Sequence, residues 1–255
     1  MLAVENLSYR QGGASLLGHV TAAFPAGRLT GIIGPNGAGK STLLRLAAGL
    51  LVPSGGQVSC MGESLATMSL ARRARHLAYM PQDVPALPPM PVREVVSLGR
   101  LPYGESPAHA LRHPAVDRAL REVGLAALGQ RLASQLSGGE RARLMLARAL
   151  AMQTPVLLAD EPIAALDPAH ALAVMQVFRA LAASGSCVVV VLHDLLLATR
   201  LCDTLIMMKD GRIAHMLEPA QLTDSMVREI YGVTSRRVDN GMVPWDLCGT
   251  DHSPV

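Results

Sequence analysis

Gly34-Pro35-Asn36-Gly37-Ala38-Gly39-Lys40-Ser41-Thr42 is the stretch whose reading decides the fold. It follows the apolar run Leu29 to Ile33 and opens the helix-like run Thr42 to Leu50, so the spacing G-x-x-x-x-G-K-[ST] stands in the strand-to-helix context that gives it meaning. The glycines let the backbone turn tightly and aim successive N–H groups at phosphate oxygens, and the helix N-terminus behind them adds a favourable dipole. Lys40 supplies a point charge for β- and γ-phosphates, and Ser41 a hydroxyl for Mg²⁺. Gly34 through Thr42 are therefore expected to hold the phosphates of ATP together with magnesium.

Outward from this loop, Leu77 to Met80, Val156 to Ala159 and Cys187 to Leu192 are further short aliphatic runs, too continuous for half-exposed strands. Alternating with helical patterns, they predict an α/β fold: a phosphate-loop NTPase core with a mainly parallel sheet buried on both faces by helices. Residues 1–7 and Leu16 to Phe24, with Gly12 and Gly13 at a turn, predict an antiparallel β region ahead of the core. A Pro-rich loop, PALPPMP, then helix-like segments around Val92 to Leu98 and Val116 to Leu125, predict a helical sub-domain inserted at about residues 83–150. Periodicity fades after Val233, giving one domain over residues 1–233 and a tail over 234–255 with no clear element.

Bulk properties narrow the classes. At 255 residues the chain can bury a sizeable core, and a net charge of +3 is too weak to argue for nucleic acid. No apolar run approaches the roughly 18 residues of a spanning helix, and MLAVENLSYR lacks a basic and then apolar leader, so the chain is expected to be neither exported nor inserted. Cys60, Cys187, Cys202 and Cys248 show no C-x-x-C spacing and read as reduced thiols. His109 and His113 have i,i+4 spacing but are flanked by Pro107 and Pro114 with no ligating Glu between, which argues against zinc. Arg72, Arg73, Arg75 and His76 read as a solvated helix face.

Two further motifs carry chemistry. The run Val156 to Ala159 ends in Asp160-Glu161, at the strand end where open α/β sheets bind ligands. Adjacent side chains point opposite ways, so Asp160 is expected to hold the magnesium shell and Glu161 to orient or deprotonate the attacking water. Leu136-Ser137-Gly138-Gly139-Glu140 precedes the helical pattern Arg141 to Ala151 and predicts a second anion site at a helix N-terminus. That second cradle is idle beside one triphosphate; in a two-fold dimer each copy can offer it to the partner's nucleotide.

The ordered set of phosphate loop, LSGGE, Asp160-Glu161 and a His after a later strand resembles an ATP-binding cassette (ABC) ATPase over residues 1–233. The resemblance implies an ATP hydrolase in which Tyr9 stacks on adenine, Gln82 senses Mg²⁺ and water, Asp167 lies on a dimer-facing loop and His193 is the γ-phosphate switch. Ile163-Ala164 departs from the Thr-Ser usual after Glu-Pro, and Ala142 from a frequent Gln, removing hydrogen bonds near the dimer seam. The separation of Lys40 from Leu136 leaves no room for a long coiled coil, and there is one cassette rather than a tandem pair, which disfavours the chromosome-maintenance and translation-factor branches. What remains is a transport ATPase whose polytopic membrane permease is a separate chain, with Pro85 to Pro91 suited to dock it. The segment Pro91 to Tyr103 and Tyr231-Gly232-Val233 resemble the importer subgroup for iron-siderophores, haem and cobalamin. The implied setting is the cytoplasmic face of a bacterial inner membrane, with a second copy of the chain, permease subunits and, indirectly, a substrate-binding protein as partners, and no nucleic acid. An exporter's ATPase, or a soluble ABC switch on nucleic acid or ribosomes, is the alternative.

Overall fold

The computed structural model describes residues 1–82 and 89–248. From the N-terminus, β1 (Leu2–Gln11) and β2 (Ala14–Phe24) form an antiparallel hairpin turning at Gly12 and Gly13. β3 (Leu29–Ile33) leads through the glycine loop into α1 (Lys40–Ala47), and β4 (Gly55–Cys60) and β5 (Glu63–Ser64) complete a four-stranded sheet with the hairpin. α2 (Leu70–His76) precedes β6 (Leu77–Met80), and α3 (Val92–Ser97), α4 (Pro107–Arg112), α5 (Pro114–Glu122) and α6 (Gly138–Ala151) lie between it and β7 (Val156–Asp160). The chain continues through α7 (Pro168–Ala183), β8 (Cys187–Val191), α8 (Leu195–Leu201), β9 (Thr204–Lys209) and β10 (Arg212–Leu217) to α9 (Asp224–Tyr231), β11 (Val233–Val238) and β12 (Gly241–Leu247).

The central sheet runs β10-β9-β3-β8-β7-β6, parallel throughout except for the edge strand β10. Its strands are continuous apolar runs because successive side chains enter two different cores. Val188 and Val190 of β8 join one core with Leu157 and Ala159 of β7, while Val189 and Val191 join the other with Val156 and Leu158. The first core is covered by helices, including α5, α6, α7 and α8. The second is covered by α1 together with the antiparallel sheet, which corrects the expectation of helices on both faces.

The helices between β6 and β7 are tied down by a buried cation. Arg100 is 5% exposed; its Nη2 meets Glu105 Oε1 at 2.6 Å and its Nη1 donates to Ala151 O and Gln153 Oε1 at 3.1 Å. The guanidinium lies 4.0 Å from the Tyr103 ring centroid, and the Tyr103 hydroxyl donates to Met152 O at 2.6 Å. The arginines of α2 are also engaged rather than merely solvated: Arg72 pairs with Glu63, Arg73 donates to Gly49 O and Arg75 to Pro102 O.

The tail is not featureless. β11 and β12 pair as an antiparallel hairpin whose Met242 is 3% exposed in the larger core, and the Met242 N–H donates to Thr199 Oγ1 of α8 at 2.9 Å. Among the described residues no helix is long and apolar enough to cross a membrane. Residues 85–88 of the expected docking stretch lie outside the described residues, and Met90 packs half-buried against the larger core. Replacing Arg100 by Met leaves Glu105 without its cation and frees three acceptors. Chemical denaturation is expected to show a loss of about 3 kcal/mol, the scale for breaking a buried ion pair.

Candidate functional site

The turn from β3 into α1 builds an anion cradle. Gly34 has φ +149 and Gly39 φ +92, and a Cβ at Gly34 would run into Met208 O of β9, so neither position accepts another residue without strain. Among the described residues seven other helices, α2 and α4 to α9, have their first turn capped by a Ser, Asp, Thr or His side chain. α1 has Gly39 as N-cap and no side-chain bond, so its leading N–H groups are left for a ligand. They open into a cavity of about 630 Å³ lined by Leu16, Asn36–Thr42, Gln82, Glu161 and His193.

Lys40 is 5% exposed, its ammonium donating to Gly34 O at 2.8 Å and Pro35 O at 2.9 Å. Burial pulls its pKa below the ordinary lysine value, with Glu161 and Asp160 opposing that pull. The buried cation therefore rests on two carbonyls that phosphate oxygens can replace.

β7 delivers the carboxylates. Asp160 is fully buried, accepting from Ser41 Oγ at 2.8 Å on Oδ1 and from the Tyr79 hydroxyl at 3.2 Å on Oδ2. Burial is the main cause of its raised pKa, partly offset by the Ser41 and Tyr79 bonds and by the Arg45 charge. A hydroxyl and a desolvated carboxylate in contact form the hard oxygen donor set that suits Mg²⁺. Tyr79 was not among the expected residues; it becomes a site residue because β6 pairs beside β7.

Glu161 leaves the strand at φ +50, a left-handed conformation uncommon outside glycine. This turn carries its carboxylate into the cavity, where Gln82 Nε2 donates to Oε2 at 2.8 Å and His193 Nε2 meets Oε1 at 2.6 Å. Gln82 follows β6, His193 follows β8, and Glu161 follows β7, so three neighbouring parallel strands converge on one carboxylate. The group can hold a water or a terminal phosphate oxygen between a carboxylate, an amide and an imidazole.

The remaining expected residues lie elsewhere. Ser137 caps α6 in a capping box: its Oγ accepts from Glu140 N at 3.2 Å while its own N–H donates to Glu140 Oε2 at 2.8 Å. The expected second anion site is thus partly self-satisfied, and Ser137, Gly138 and Gly139 do not line the phosphate-loop cavity. Asp167 caps α7, accepting from His170 N at 3.0 Å and meeting His170 Nδ1 at 2.6 Å. Tyr9 sits on β1 opposite Leu17 and is not part of the cavity lining, where Leu16 stands instead. Ile163 and Ala164 line an adjoining, mainly apolar cavity of about 370 Å³ beside Glu161 and His193. Among the described residues no cluster of three His, Cys, Asp or Glu side chains could hold a metal, and the rings of His109 and His113 meet edge-on at 6.1 Å.

A glycine loop wrapped over an uncapped helix end, with a buried lysine and a strand-end carboxylate on its serine, defines a phosphate-loop nucleotide-binding protein. The ABC transporter family model matches residues 17–164, and the chain belongs to that family. It is 41% identical over 256 residues to the hemin import ATP-binding protein HmuV of Bordetella pertussis, covering 96% of this chain and 97% of that protein. It is 41% identical over 232 residues to the cobalamin import ATP-binding protein BtuD of Halobacterium salinarum, where the match covers 90% of this chain but 58% of the relative's length. Among solved structures, a dimeric ATP-binding cassette in a post-hydrolysis state with ADP and Pi matches with a TM-score of 0.78 at 27% identity, covering 87% of this chain and 100% of that one. A subunit of the cbiONQ ABC transporter complex of Clostridium perfringens matches at 0.77 and 28%, covering 90% and 93%.

The raised pKa of Asp160 sets a sign for stability. In the nucleotide-free protein its charged form is disfavoured by folding, so its contribution is best below the ordinary aspartate value of 3.8 and worsens as pH rises through its folded pKa. Asp160→Asn is expected to melt higher than wild type at neutral pH, with the difference shrinking toward acid, and to lose the extra stabilisation that Mg-ATP gives the wild type. Thermal melts across pH with and without Mg-ATP check both.

Proposed function

We propose that this chain is the ATP-hydrolysing subunit of an importer, acting at the cytoplasmic face of a membrane through a separate polytopic permease that a substrate-binding protein feeds. The observation that carries this reading is that the chain holds one phosphate cradle with the Glu161 carboxylate lining it, while the helix end at Ser137 lies outside that cavity. Two copies placed face to face give each cradle the other's Ser137, Gly138 and Gly139, and the likeness to a dimeric cassette supports that arrangement. The cargo reading, a metal chelate such as haem, cobalamin or an iron-siderophore, is supported by the names of the hemin and cobalamin relatives.

In this mechanism the amides of Gly34 to Thr42 and the ammonium of Lys40 take the phosphates, and Tyr9 stacks on the adenine. Mg²⁺ would be held by Ser41, Asp160 and Gln82, where it would neutralise phosphate charge. Glu161 releases Gln82 and His193 to orient the attacking water, and His193 turns to the γ-phosphate. Asp167, on the loop before α7, faces the partner copy. Phosphoryl transfer asks for positioning and charge rather than covalent help, so closing the two copies is the step that completes the site. Loss of the γ-phosphate removes the bridge and reopens the pair.

Reconstituted in liposomes with the permease it co-purifies with, the wild type is expected to accumulate labelled haem or cobalamin only with Mg-ATP. Glu161→Gln should cut hydrolysis and uptake about 100-fold or more while ATP still binds. Co-purification with no polytopic membrane protein would contradict the transport reading; hydrolysis stimulated by the permease without uptake of any chelate would contradict the cargo.

A further inference from the structure

After Leu192, only His193 and Asp194 join β8 to α8, and the two sides of that link are anchored separately. On the strand side the Leu192 N–H donates to Ile32 O at the end of β3 at 3.0 Å. On the helix side Asp194, the N-cap of α8, accepts the Leu197 N–H on Oδ1 at 2.8 Å. With the strand end fixed in the sheet, the position of α8 decides where His193 stands, and its Nε2 meets Glu161 Oε1 at 2.6 Å.

α8 is held unevenly. Leu195, Ala198 and Cys202 are buried in the larger core, whereas Leu196, Leu197 and Arg200 line the apolar cavity of about 370 Å³ shared with Ile163, Ala164 and Leu172. A flank that faces a cavity has fewer packing atoms to resist displacement than a close-packed one. The C-terminal hairpin supplies a second hold. The Met242 N–H of β12 donates to Thr199 Oγ1 at 2.9 Å, and that hydroxyl gives its own proton to Leu195 O, one turn nearer the N-cap, at 2.7 Å. Thr199 is 4% exposed and Met242 3%, so neither partner can turn to water instead. Gly241 lies so close to α8 that a Cβ there would run into Leu196 Cδ1 and crowd Arg200, two of the cavity-lining residues. The hairpin is itself fastened to the chain around α9: Asp224 Oδ1 accepts from both the backbone N–H and the hydroxyl of Ser235, and Arg237 donates to Leu222 O at 2.8 Å.

We infer that the β11–β12 hairpin is a positioning element for His193: Thr199 and Gly241 fix α8, and α8 fixes where the imidazole stands against Glu161. Neither Thr199 nor Gly241 lines the phosphate-loop cavity, so their effect falls on the geometry of hydrolysis and not on the hold on ATP. The inference rests on the role given to His193 in hydrolysis and deepens it. It assigns the C-terminal unit, which lies beyond the residues 17–164 of the family match, a share in that site.

The test uses Thr199→Val, which keeps the shape and removes the acceptor, Thr199→Ser, which restores the hydroxyl, and Gly241→Ala, which wedges against Leu196. In ¹⁵N spectra of the histidine-labelled, nucleotide-free protein, recorded below every variant's melting range, the His193 ring signals are assigned by their loss in His193→Ala. They are expected to shift in Thr199→Val and Gly241→Ala and to return in Thr199→Ser, with the His113 signals unmoved. In ATPase assays Thr199→Val should lower kcat about 3- to 10-fold with KM within about twofold, and Thr199→Ser should recover it. His193 signals that stay in place in Thr199→Val would overturn the inference, and so would a kcat loss that Thr199→Ser does not restore, the mark of a merely structural role. His193→Ala hydrolysing ATP at the wild-type rate, with the ring signals shifting as expected, would instead sink the role of His193 in hydrolysis and leave its positioning by the hairpin standing, so the two failures are distinguishable.

Discussion

Everything in the site depends on β3, β8 and β7 lying side by side and parallel. With β8 between them, the residues that follow β3 and those that end β7 emerge at the same edge of the sheet, and the Ser41 hydroxyl meets Asp160 at 2.8 Å across 119 residues of sequence. Parallel pairing of this kind requires both faces to be covered, which is why Val188 to Val191 and Val156 to Ala159 carry no polar residue. The two cores therefore do more than stabilise: they fix the depth at which a carboxylate, a hydroxyl and a lysine meet. At that depth water is scarce, and burial works against both charges, raising Asp160 and lowering Lys40. A site made of desolvated opposite charges waiting on backbone carbonyls and a hydroxyl is one that a bound triphosphate relieves.

The same sheet explains what was legible in the sequence. Strands buried on both faces are continuous aliphatic runs, and Leu29 to Ile33, Leu77 to Met80 and Val156 to Ala159 show their positions almost to the residue. The chemistry of Gly34 to Thr42, Asp160 and Glu161 follows from residue type at fixed spacing, and the bonds of Gln82 and His193 to Glu161 bring together groups far apart in the chain. What stayed hidden depends on pairing partners that spacing does not encode. Tyr79 reaches Asp160 because β6 neighbours β7, and Leu16 rather than Tyr9 lines the cavity because of the register of the first hairpin. The β11–β12 hairpin was illegible for another reason: it buries only Gly241 and Met242, so no alternation of apolar residues marks it.

The departures at Ile163 and Ala164 acquire a physical setting from the cavity they line with Leu172, Leu196 and Leu197 beside Glu161. Where hydroxyl side chains would offer hydrogen bonds, this chain offers apolar surface beside Glu161 and His193. In the proposed pair, association at the dimer seam would rest more on the bridging nucleotide and on packing, and less on polar contacts between the copies.

The central claim is that one chain carries two halves of different sites, completed only across a pair. Light scattering of the Glu161→Gln chain with and without Mg-ATP tests it most directly. The account requires a shift from monomer to dimer on adding nucleotide, abolished when Ser137→Arg is added, because a bulky cation there blocks the half-site without touching the phosphate loop. A chain that saturates with ATP and stays monomeric, or that pairs equally well with Ser137→Arg, would contradict it.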